Sequence, residues 1–475
     1  MTAAVLDALR QAVGATHVLT EGDLSAYEQD WRRRARGRAL AVVRPASTAE
    51  VAAVVRVCAA ERVAIVPQGG NTGLAVGSVP DESGSQVVLN LRRLDRVRAI
   101  DGANQTLTAE AGVVLQQAQQ AAQAAGWLLP LSLASEGSCT LGGNLAANAG
   151  GTQVLRYGNA RELCLGLEVV TAQGQVWHGL SGLRKDNTGY DLRDLFIGSE
   201  GTLGIITAAT MKLHPLPAAR LTAWAAVPTL QAALDLLGLA QRRLGAALTG
   251  FEVMNRFSLE LVARHYPQPR VPLQDGAAGG GAPFFVLLET SDPDSEAHAR
   301  EGFEALLHAA LQAGCASDAV VAESLAQAQG LWQIRERIPL AQADEGLNIK
   351  HDISLPISRI PAFVAETDAE LAHAVPGVRL VNFGHLGDGN LHYNVQAPAG
   401  TDAAAFLREQ EARVNTLVFD AVLRHGGSIS AEHGIGSLKA ATLPRYKSPV
   451  ALQLMRAIKQ ALDPLGIMNP GRVLL

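Results

Sequence analysis

The sequence is poor in cysteine and in aromatic residues, and it has no long apolar run. Four of its 475 residues are cysteines, and aromatic residues make up 4%. The cysteines show no CxxC spacing, which argues against a disulfide framework, a cysteine-bound zinc and an iron–sulfur cluster. No stretch of about 18 uninterrupted apolar residues occurs, so no membrane span is predicted. We therefore expect a protein of a reducing compartment, with the cytoplasm as the default.

Basic runs and the common nucleotide motifs are missing as well. A net charge of -5 without a long basic run gives no reason to expect nucleic acid as a partner. The glycine-rich loops match neither GxGxxG nor GK[ST], which excludes the usual dinucleotide and P-loop fingerprints. What is present is 48% hydrophobic and 18% charged residues, a composition typical of a globular chain, and the length predicts two or three domains.

The residue pattern predicts packed helices and strands. Residues 1–36 begin with MTAAVLDALRQAV, which has the spacing of an amphipathic helix. From Leu40 onward, ALAVVRP predicts a strand, STAEVAAVVRVCAAE a helix capped by Ser47 or Thr48, and VAIVPQGG a second strand. This alternation indicates α/β packing. Later, FEVMNRFSLELVARHYP predicts a helix, QDGAAGGGAPFF a flexible connection and FFVLLE a strand.

Three segments rich in glycine and hydroxyl residues follow the second strand. They contain PQGGNTGLAVGS, then SEGSCTLGGN with Asn148, Gly150 and Gly151, and finally KDNTGY with GSEGTLG. Glycines let a backbone approach a ligand closely and direct successive N–H groups at an anion. Plain turns need fewer such residues, so the three segments together predict a large cofactor with a diphosphate and an adenosine.

A predicted hairpin brings two histidines together. His385 and His392 flank the short loop of GHLGDGNLHYNV, which lies between the strand-like runs RLVNF and HYNV. Two convergent imidazoles are the beginning of a metal site. Taken alone, however, such a pair more often consists of structural histidines that cap strand ends or lie in a core.

Four motifs together resemble a known family. PQGGNTGLAVGSVP, EGSCTLGGNLAANAGG, GSEGTLGIIT and MNPGRVL are similar to those of FAD-linked oxidoreductases of the vanillyl-alcohol-oxidase (PCMH-type) superfamily. Within it, the chain resembles the D-2-hydroxyacid dehydrogenases, a group that includes enzymes for D-2-hydroxyglutarate and D-lactate as well as the glycolate-oxidase flavin subunit.

The resemblance implies an α+β fold with four parts. An N-terminal helical segment (1–36) precedes a PCMH-type FAD-binding domain of two α/β subdomains (37–216). A substrate or cap domain (217–402) carries the hairpin, and a helical C-terminal segment (403–475) packs on the FAD domain. Pro215 and Pro217 mark the joint between the two domains.

The resemblance also implies bound FAD. Some relatives link the flavin covalently through a histidine in the first loop, where this chain has Asn71, and Cys139 is interpreted as a small buried thiol. We therefore expect non-covalent FAD. The residues implied to bind it are Pro67, Gln68, Gly69, Gly70, Asn71, Thr72, Gly73, Gly77, Ser78, Ser135, Glu136, Gly137, Ser138, Thr140, Gly142, Gly143, Asn144, Asn148, Gly150, Gly151, Tyr157, Gly158, Glu200, Gly201, Gly204, Ile206 and Asn469.

The same resemblance assigns the chemistry. It implies His385, His392 and Glu432 as ligands of zinc or another divalent metal, and the adjacent His433 as the general base. Two residues after His392, Asn394 lies on the same face of its strand and is a candidate for binding the substrate.

Two cations are implied to hold substrate carboxylates, Arg335 as a bidentate fork and Lys350 as a point charge. Arg337, two residues further along a helix, is interpreted as a surface charge. Pro339 stands where the D-2-hydroxyglutarate enzymes usually have threonine, which favours a broader substrate range, and His351 is a candidate to compensate.

The function expected from this resemblance is the zinc-assisted oxidation of a D-2-hydroxy acid to the 2-oxo acid, with hydride transfer from C2 to flavin N5. D-2-hydroxyglutarate is the expected substrate, with D-lactate and D-malate as further candidates. Electron-transfer flavoprotein or a quinone is the expected electron acceptor, and a homodimer is compatible with the sequence. Two alternatives stay open: the flavin subunit of a glycolate or D-lactate oxidising complex, and a catalytically silent flavoprotein that acts as a scaffold.

Overall fold

A computed structural model describes residues 2–274 and 281–475. Half of the predicted glycine-rich connection, at 275–280, lies outside the described residues. Contacts divide the chain into two compact units. Unit 1 comprises Met1–Gly150, Tyr157–Leu216 and Glu432–Leu475, and unit 2 comprises Gly151–Arg156 and Pro217–Ala431. The main boundary falls at the predicted joint between Pro215 and Pro217.

The helices and strands follow one another in three stretches of chain. Up to residue 216 the helices are α1 (Thr2–Val13), α2 (Ser25–Glu28), α3 (Thr48–Glu61), α4 (Leu115–Ala124), α5 (Leu141–Ala147), α6 (Val154–Tyr157), α7 (Ala160–Leu163) and α8 (Arg193–Phe196). The strands of this stretch are β1 (Val18–Leu19), β2 (Ala39–Val43), β3 (Ile65–Gln68), β4 (Gln86–Asn90), β5 (Val97–Asp101), β6 (Thr106–Glu110), β7 (Trp127–Leu128), β8 (Cys164–Val170), β9 (Val176–Gly179), β10 (Ile205–Lys212) and β11 (His214–Pro215).

The second stretch contains the elements of unit 2, and the third contains two helices. Between residues 217 and 431 the helices are α9 (Leu230–Leu244), α10 (Arg256–His265), α11 (Glu296–Gln312), α12 (Leu325–Glu345), α13 (Ile360–Ala374) and α14 (Ala403–Arg424). The strands there are β12 (Ala219–Val227), β13 (Leu248–Asn255), β14 (Phe284–Asp292), β15 (Asp318–Val321), β16 (Asn348–Ile349), β17 (Asp352–Ser354), β18 (Arg379–His385) and β19 (Asn390–Gln396). The last stretch holds α15 (Leu443–Tyr446) and α16 (Pro449–Leu462).

The first sheet of unit 1 has the order β1-β2-β4-β3, with β2, β4 and β3 parallel. The predicted strand–helix–strand sequence is confirmed as β2, α3 and β3. Helix α3 begins at Ser47, whose side chain accepts a hydrogen bond from the Glu50 backbone N–H. Helix α1 is also confirmed, because Val5, Leu9 and Val13 recur every fourth residue and are buried against this sheet.

The second sheet of unit 1 is antiparallel, in the order β5-β6-β10-β8-β9. The predicted strand IITAATMKL is confirmed as β10, at the centre of this sheet. One hydrophobic cluster contains side chains of both sheets, including Val43 and Leu89 from the first and Leu107 and Leu167 from the second. Unit 1 therefore has two layered subdomains around a shared core, as expected for a PCMH-type FAD-binding domain.

Unit 2 is built on an antiparallel sheet in the order β15-β12-β14-β13-β18-β19-β16, with β17 also paired to β19. Helices α10 and α12 contribute to a hydrophobic cluster with strand residues such as Trp224, Phe285 and Phe383. The predicted strand FFVLLE is confirmed as β14. The predicted helix FEVMNRFSLELVARHYP is wrong for its first five residues, which end strand β13 between β14 and β18, and the helix begins only after the Asn255 cap.

The predicted hairpin is confirmed, since β18 and β19 pair antiparallel around a turn that Gly389 closes with a φ of 85°. The C-terminal region differs from the prediction. Helix α14 packs on α13 and β16 and so belongs to unit 2, while α15 and α16 belong to unit 1. The chain end is tied to β3, because Ile65 exchanges backbone hydrogen bonds with Ile467 and Asn469.

Candidate functional site

A cleft in unit 1 is bordered by the first two glycine-rich segments and by the residues that lead into β10. Its lining residues are Pro67, Gln68, Gly69, Leu91, Ala111, Thr140, Gly142, Gly143, Ala146, Phe196, Ser199, Gly201, Gly204 and Ile206. Most of these residues were predicted from the sequence. The ones that sequence reasoning missed are Leu91, Ala111, Ala146, Phe196 and Ser199, whose apolar or small side chains carry no signal that separates a cleft from a core.

Two glycines that line the cleft leave no room for a side chain. A Cβ on Gly69 would stand 2.2 Å from the Thr140 hydroxyl oxygen, and one on Gly142 would stand 2.5 Å from the Ala111 Cβ. The Thr140 hydroxyl is itself buried, with no hydrogen-bond partner in the described part of the chain. A buried hydroxyl without a partner is costly unless a ligand supplies one, so the cleft fits a polar group such as a cofactor phosphate.

Asn71 holds the first loop in place. Its backbone has a positive φ of 56°, a conformation that asparagine tolerates better than most residues. Its side-chain nitrogen donates to the carbonyls of Ala26 and Gln29, and its side-chain oxygen accepts from the Ser78 hydroxyl at 2.9 Å. The Asn71 side chain therefore shapes the loop.

Glu200 and Asn469 tie the cleft to the end of the chain. The Glu200 carboxylate accepts hydrogen bonds from the backbone N–H groups of Ile435 and Gly436, both at 2.7 Å. Burial raises the pKa of Glu200. The Asn469 side chain donates to the carbonyls of Gly77 and Glu200. Both side chains thus fix the backbone of the loops.

Not every predicted segment reaches the cleft. In the third segment, Gly201 and Gly204 line it, whereas every residue of KDNTGY is exposed. Gly151 belongs to unit 2. Cys139 is buried in the hydrophobic cluster and burial raises its pKa, so it matches the expected inert thiol. The predicted unit 1 residues that do not line the cleft are Gly70, Asn71, Thr72, Gly73, Gly77, Ser78, Ser135, Glu136, Gly137, Ser138, Asn144, Asn148, Gly150, Tyr157, Gly158, Glu200 and Asn469.

In unit 2, the hairpin brings the imidazoles of His385 and His392 together. Their ring centroids lie 5.7 Å apart in an edge-to-face arrangement, and both side chains are mostly buried. His392 also packs on the ring of Phe383, its partner across the strand pair. The predicted convergence of two imidazoles at one turn is therefore present in the fold.

A carboxylate that the sequence did not reveal lies behind this pair. Glu252 on β13 is completely buried and stands directly opposite His385 on β18. One of its oxygens is 2.5 Å from His385 Nδ1, and the other accepts from Arg335 Nε at 2.7 Å. Burial alone would raise the pKa of Glu252, but the charges of His385 and Arg335 outweigh it and lower the pKa to about 2.

Arg335 projects from α12 onto the same group of residues. It is only 7% exposed, and its guanidinium stacks on the Phe383 ring at 4.6 Å. Its Nε is bound to Glu252, while neither Nη group has a hydrogen-bond partner among residues 2–274 and 281–475. Arg337 faces elsewhere, as predicted, and donates to the carbonyl of Gln268. A buried guanidinium with two unused Nη groups, each an NH2, is suited to an anionic ligand.

Asp352 contacts both His392 and the backbone of Ala431, the residue before Glu432. It pairs with His392 in the sheet, and its carboxylate lies 3.9 Å from His392 Nδ1. The same carboxylate accepts from the backbone N–H of Ala431, the last residue of unit 2. Glu432 and His433 come next in the sequence, and within unit 1 their side chains lie 3.6 Å apart. Sequence reasoning missed Asp352, although its place two residues after Lys350 was a weak signal.

The remaining predicted substrate residues lie on and beside β19. Lys350 stands between β16 and β17, both of which pair with that strand. The Asn394 oxygen accepts from the His351 backbone N–H, and its nitrogen donates to Gln342, so both ends of this amide already bond to protein. The His351 ring is buried between the Tyr393 carbonyl and Asn415, which is a structural role.

None of the helices in the described residues is both long and apolar enough to cross a membrane.

Comparisons with known proteins agree with this architecture. Residues 39–179 match the model of an FAD binding domain, and residues 216–473 match the C-terminal domain of FAD linked oxidases. Among solved structures, p-cresol methylhydroxylase with bound substrate is similar over 99% of this chain and 96% of its own, with a TM-score of 0.76 at 18% identity. An alkyldihydroxyacetonephosphate synthase has a TM-score of 0.74 at 16% identity, covering 98% of this chain and 84% of its own. These structures support the PCMH-type fold.

Curated relatives are similar along almost the whole chain. A D-2-hydroxyglutarate dehydrogenase of Xanthomonas citri pv. viticola is 41% identical over 98% of this chain and 96% of its own length. The mitochondrial D-2-hydroxyglutarate dehydrogenase of Arabidopsis thaliana is 38% identical over 98% of this chain and 80% of its own. The resemblance found in the motifs is confirmed. The chain belongs to the FAD-linked oxidases and is an FAD-dependent oxidoreductase of the group that contains the D-2-hydroxyglutarate dehydrogenases.

Proposed function

We propose that this protein oxidises a D-2-hydroxy acid to the corresponding 2-oxo acid, with FAD and a divalent metal, zinc in the first instance, as cofactors. The observation that carries the proposal is Arg335, a buried guanidinium with two unpartnered Nη groups, joined through Glu252 to the histidine pair of the hairpin. This arrangement offers a carboxylate anchor beside two imidazoles. The identity to curated dehydrogenases over nearly the full chain supports the same activity.

The residues of unit 1 fit non-covalent FAD. Thr140 offers a buried hydroxyl to a polar group. The glycines that line the cleft place no side chain in the space where the cofactor would bind. When bound, FAD supplies an acceptor at N5 for the hydride that leaves C2 of the substrate. The electrons then pass to an acceptor for which electron-transfer flavoprotein and a quinone are candidates.

The residues of the hairpin fit a divalent metal. His385 and His392 supply nitrogen donors, Glu432 supplies a carboxylate, and this two-His, one-Glu set is one that leaves zinc an open position. A buried carboxylate on Nδ1, as Glu252 has on His385, is typical of a ligating histidine. When bound, the metal supplies Lewis acidity that makes the substrate hydroxyl easier to deprotonate. His433 takes that proton, and Arg335 with Lys350 holds the carboxylates.

The names of the relatives favour D-2-hydroxyglutarate as the substrate. Two cations, Arg335 and Lys350, suit a dicarboxylate. Pro339 follows Arg335 by one helical turn on α12, lacks both a hydroxyl and an N–H, and so donates nothing to a second carboxylate. We therefore propose that D-malate and D-lactate are also oxidised.

Anaerobic mixing with a panel of 2-hydroxy acids tests the proposed function. We expect the dicarboxylates D-2-hydroxyglutarate and D-malate to bleach the flavin absorbance faster than the monocarboxylate D-lactate, because only dicarboxylates occupy both cations. The L-enantiomers serve as controls and should leave the flavin oxidised. Absence of bleaching by every D-2-hydroxy acid would instead favour a silent flavoprotein, and a requirement for copurifying subunits would favour a multisubunit oxidase.

The role of His433 is tested by substituting asparagine for it. Positioned general bases contribute about 10²–10⁴-fold, so His433→Asn should slow flavin reduction by about that factor while FAD stays bound. His178, whose side chain is 74% exposed in unit 1, provides a control, and His178→Asn should leave the rate unchanged. Stopped-flow absorbance measures both variants. A wild-type reduction rate in His433→Asn would remove His433 from the base role.

The carboxylate anchor is tested by comparing two arginines of the same helix. Arg335→Met should raise KM about tenfold to a hundredfold, because charge-assisted hydrogen bonds to the substrate are lost. Arg337→Met removes the same charge from a position two residues further along the helix, on another face, and should leave KM within about twofold, as expected of a surface substitution. Steady-state kinetics with an artificial acceptor gives both values, and equal KM values in the two variants would exclude Arg335 as the anchor.

A further inference from the structure

We propose that Glu252 is a positioning residue that couples the metal site to the substrate anchor, by holding His385 with one carboxylate oxygen and Arg335 with the other. This inference rests on the proposed function, because it gives a role to a residue that touches neither substrate nor metal. It adds Glu252, on strand β13, to the set of residues on which the chemistry depends.

The geometry shows that the two contacts belong to a single bridge. His385 Nδ1 lies 2.5 Å from Glu252 Oε1, and Arg335 Nε lies 2.7 Å from Oε2. Glu252 is 0% exposed, and these are its side-chain hydrogen bonds within the described ranges 2–274 and 281–475. Each oxygen therefore serves one partner.

The three residues come from three elements that pack firmly together. Strands β13 and β18 are neighbours in the sheet, so Glu252 faces His385 directly. Helix α12 is fixed against the same sheet by Ile334 and Ile338, which share a hydrophobic cluster with Phe383. Because the backbone positions are set by this packing, the carboxylate has little freedom to satisfy one partner at the expense of the other.

Two consequences follow from the bridge. An ionised carboxylate only accepts hydrogen bonds, so His385 must carry its proton on Nδ1, and in the neutral ring the lone pair is then on Nε2, as a metal ligand requires. The Arg335 guanidinium is bound to Glu252 through Nε, which leaves its two Nη groups available to donate to a carboxylate. The negative charge of Glu252 would also weaken the repulsion between the Arg335 guanidinium and a metal cation held by His385.

Glu289 provides a matched control. It is a buried glutamate on the neighbouring strand β14, and its partners include the side chains of Trp332 and Thr249. Within the described part of the chain it makes no hydrogen bond or ion pair with His385 or Arg335, although it borders the same helix through Trp332. Glu289→Gln is therefore the same chemical change as Glu252→Gln at another buried position, and it leaves the bridge intact.

The test compares Glu252→Gln and Glu289→Gln in the full-length, FAD-loaded protein by two measurements. Zinc affinity is obtained by competition with a chromophoric chelator, and KM is obtained with the best D-2-hydroxy acid. Loss of a residue that orients a ligating histidine typically lowers metal affinity about 10–100-fold, and we expect that loss in Glu252→Gln. We also expect its KM to rise about tenfold, since a glutamine has one acceptor for two donors. Glu289→Gln should match the wild type in both.

The outcomes separate this inference from the proposed function. Wild-type zinc affinity in Glu252→Gln, or weakened zinc binding with an unchanged KM, overturns the coupling while leaving the proposed function intact. A wild-type protein that binds no zinc refutes the metal site itself and the coupling with it. If Glu252→Gln does not fold, the same two measurements are made on Glu252→Asp. This variant keeps the negative charge, but its side chain is one methylene shorter, so the carboxylate lies further from His385 and Arg335. If zinc affinity and KM both differ from the wild type in Glu252→Asp, the bridge is supported. If both are unchanged, the bridge is overturned.

Discussion

The charge of Glu252 is the constraint on which the candidate site depends. A carboxylate without access to water must be balanced nearby, and here the balance comes from one cation and one imidazole on different elements. Their attraction outweighs the cost of burial and keeps the pKa of Glu252 at about 2. A buried ion pair of this kind contributes little net stability, yet removal of one partner is costly. The arrangement therefore favours a site function over a purely structural one.

The cleft of unit 1 depends on close backbone packing and on side chains that hold the loops. It is lined in part by glycines, and Gly69 and Gly142 lie where a Cβ would collide with Thr140 and Ala111. Around it, Asn71, Glu200 and Asn469 use their side chains to hold backbone. The polar residues of the glycine-rich segments thus divide into those that border the cleft and those that fix its shape, and sequence alone does not separate the two groups.

The sequence predicted the features that depend on residues close together in the chain. The hairpin, α3 with its Ser47 cap and the different directions of Arg335 and Arg337 all follow from periodicity and turn chemistry over a few residues. Glu252 escaped prediction because its partner His385 is 133 positions away, and because FEVMN continued into a helical pattern. The packing of α14 in unit 2 also depends on distant partners, α13 and β16. The metal ligands and the base were inferred from family resemblance, since spacing by itself left the histidine pair ambiguous.

The central claim is that the hairpin is a metal site required for oxidation. The most direct measurement is anaerobic flavin reduction by D-2-hydroxyglutarate in protein stripped of metal by a chelator, followed by stepwise addition of zinc. We expect reduction to be slow in the stripped protein and to recover in proportion to zinc until one ion per chain is bound, while FAD content stays constant. Full-rate reduction in the metal-free protein would contradict the claim.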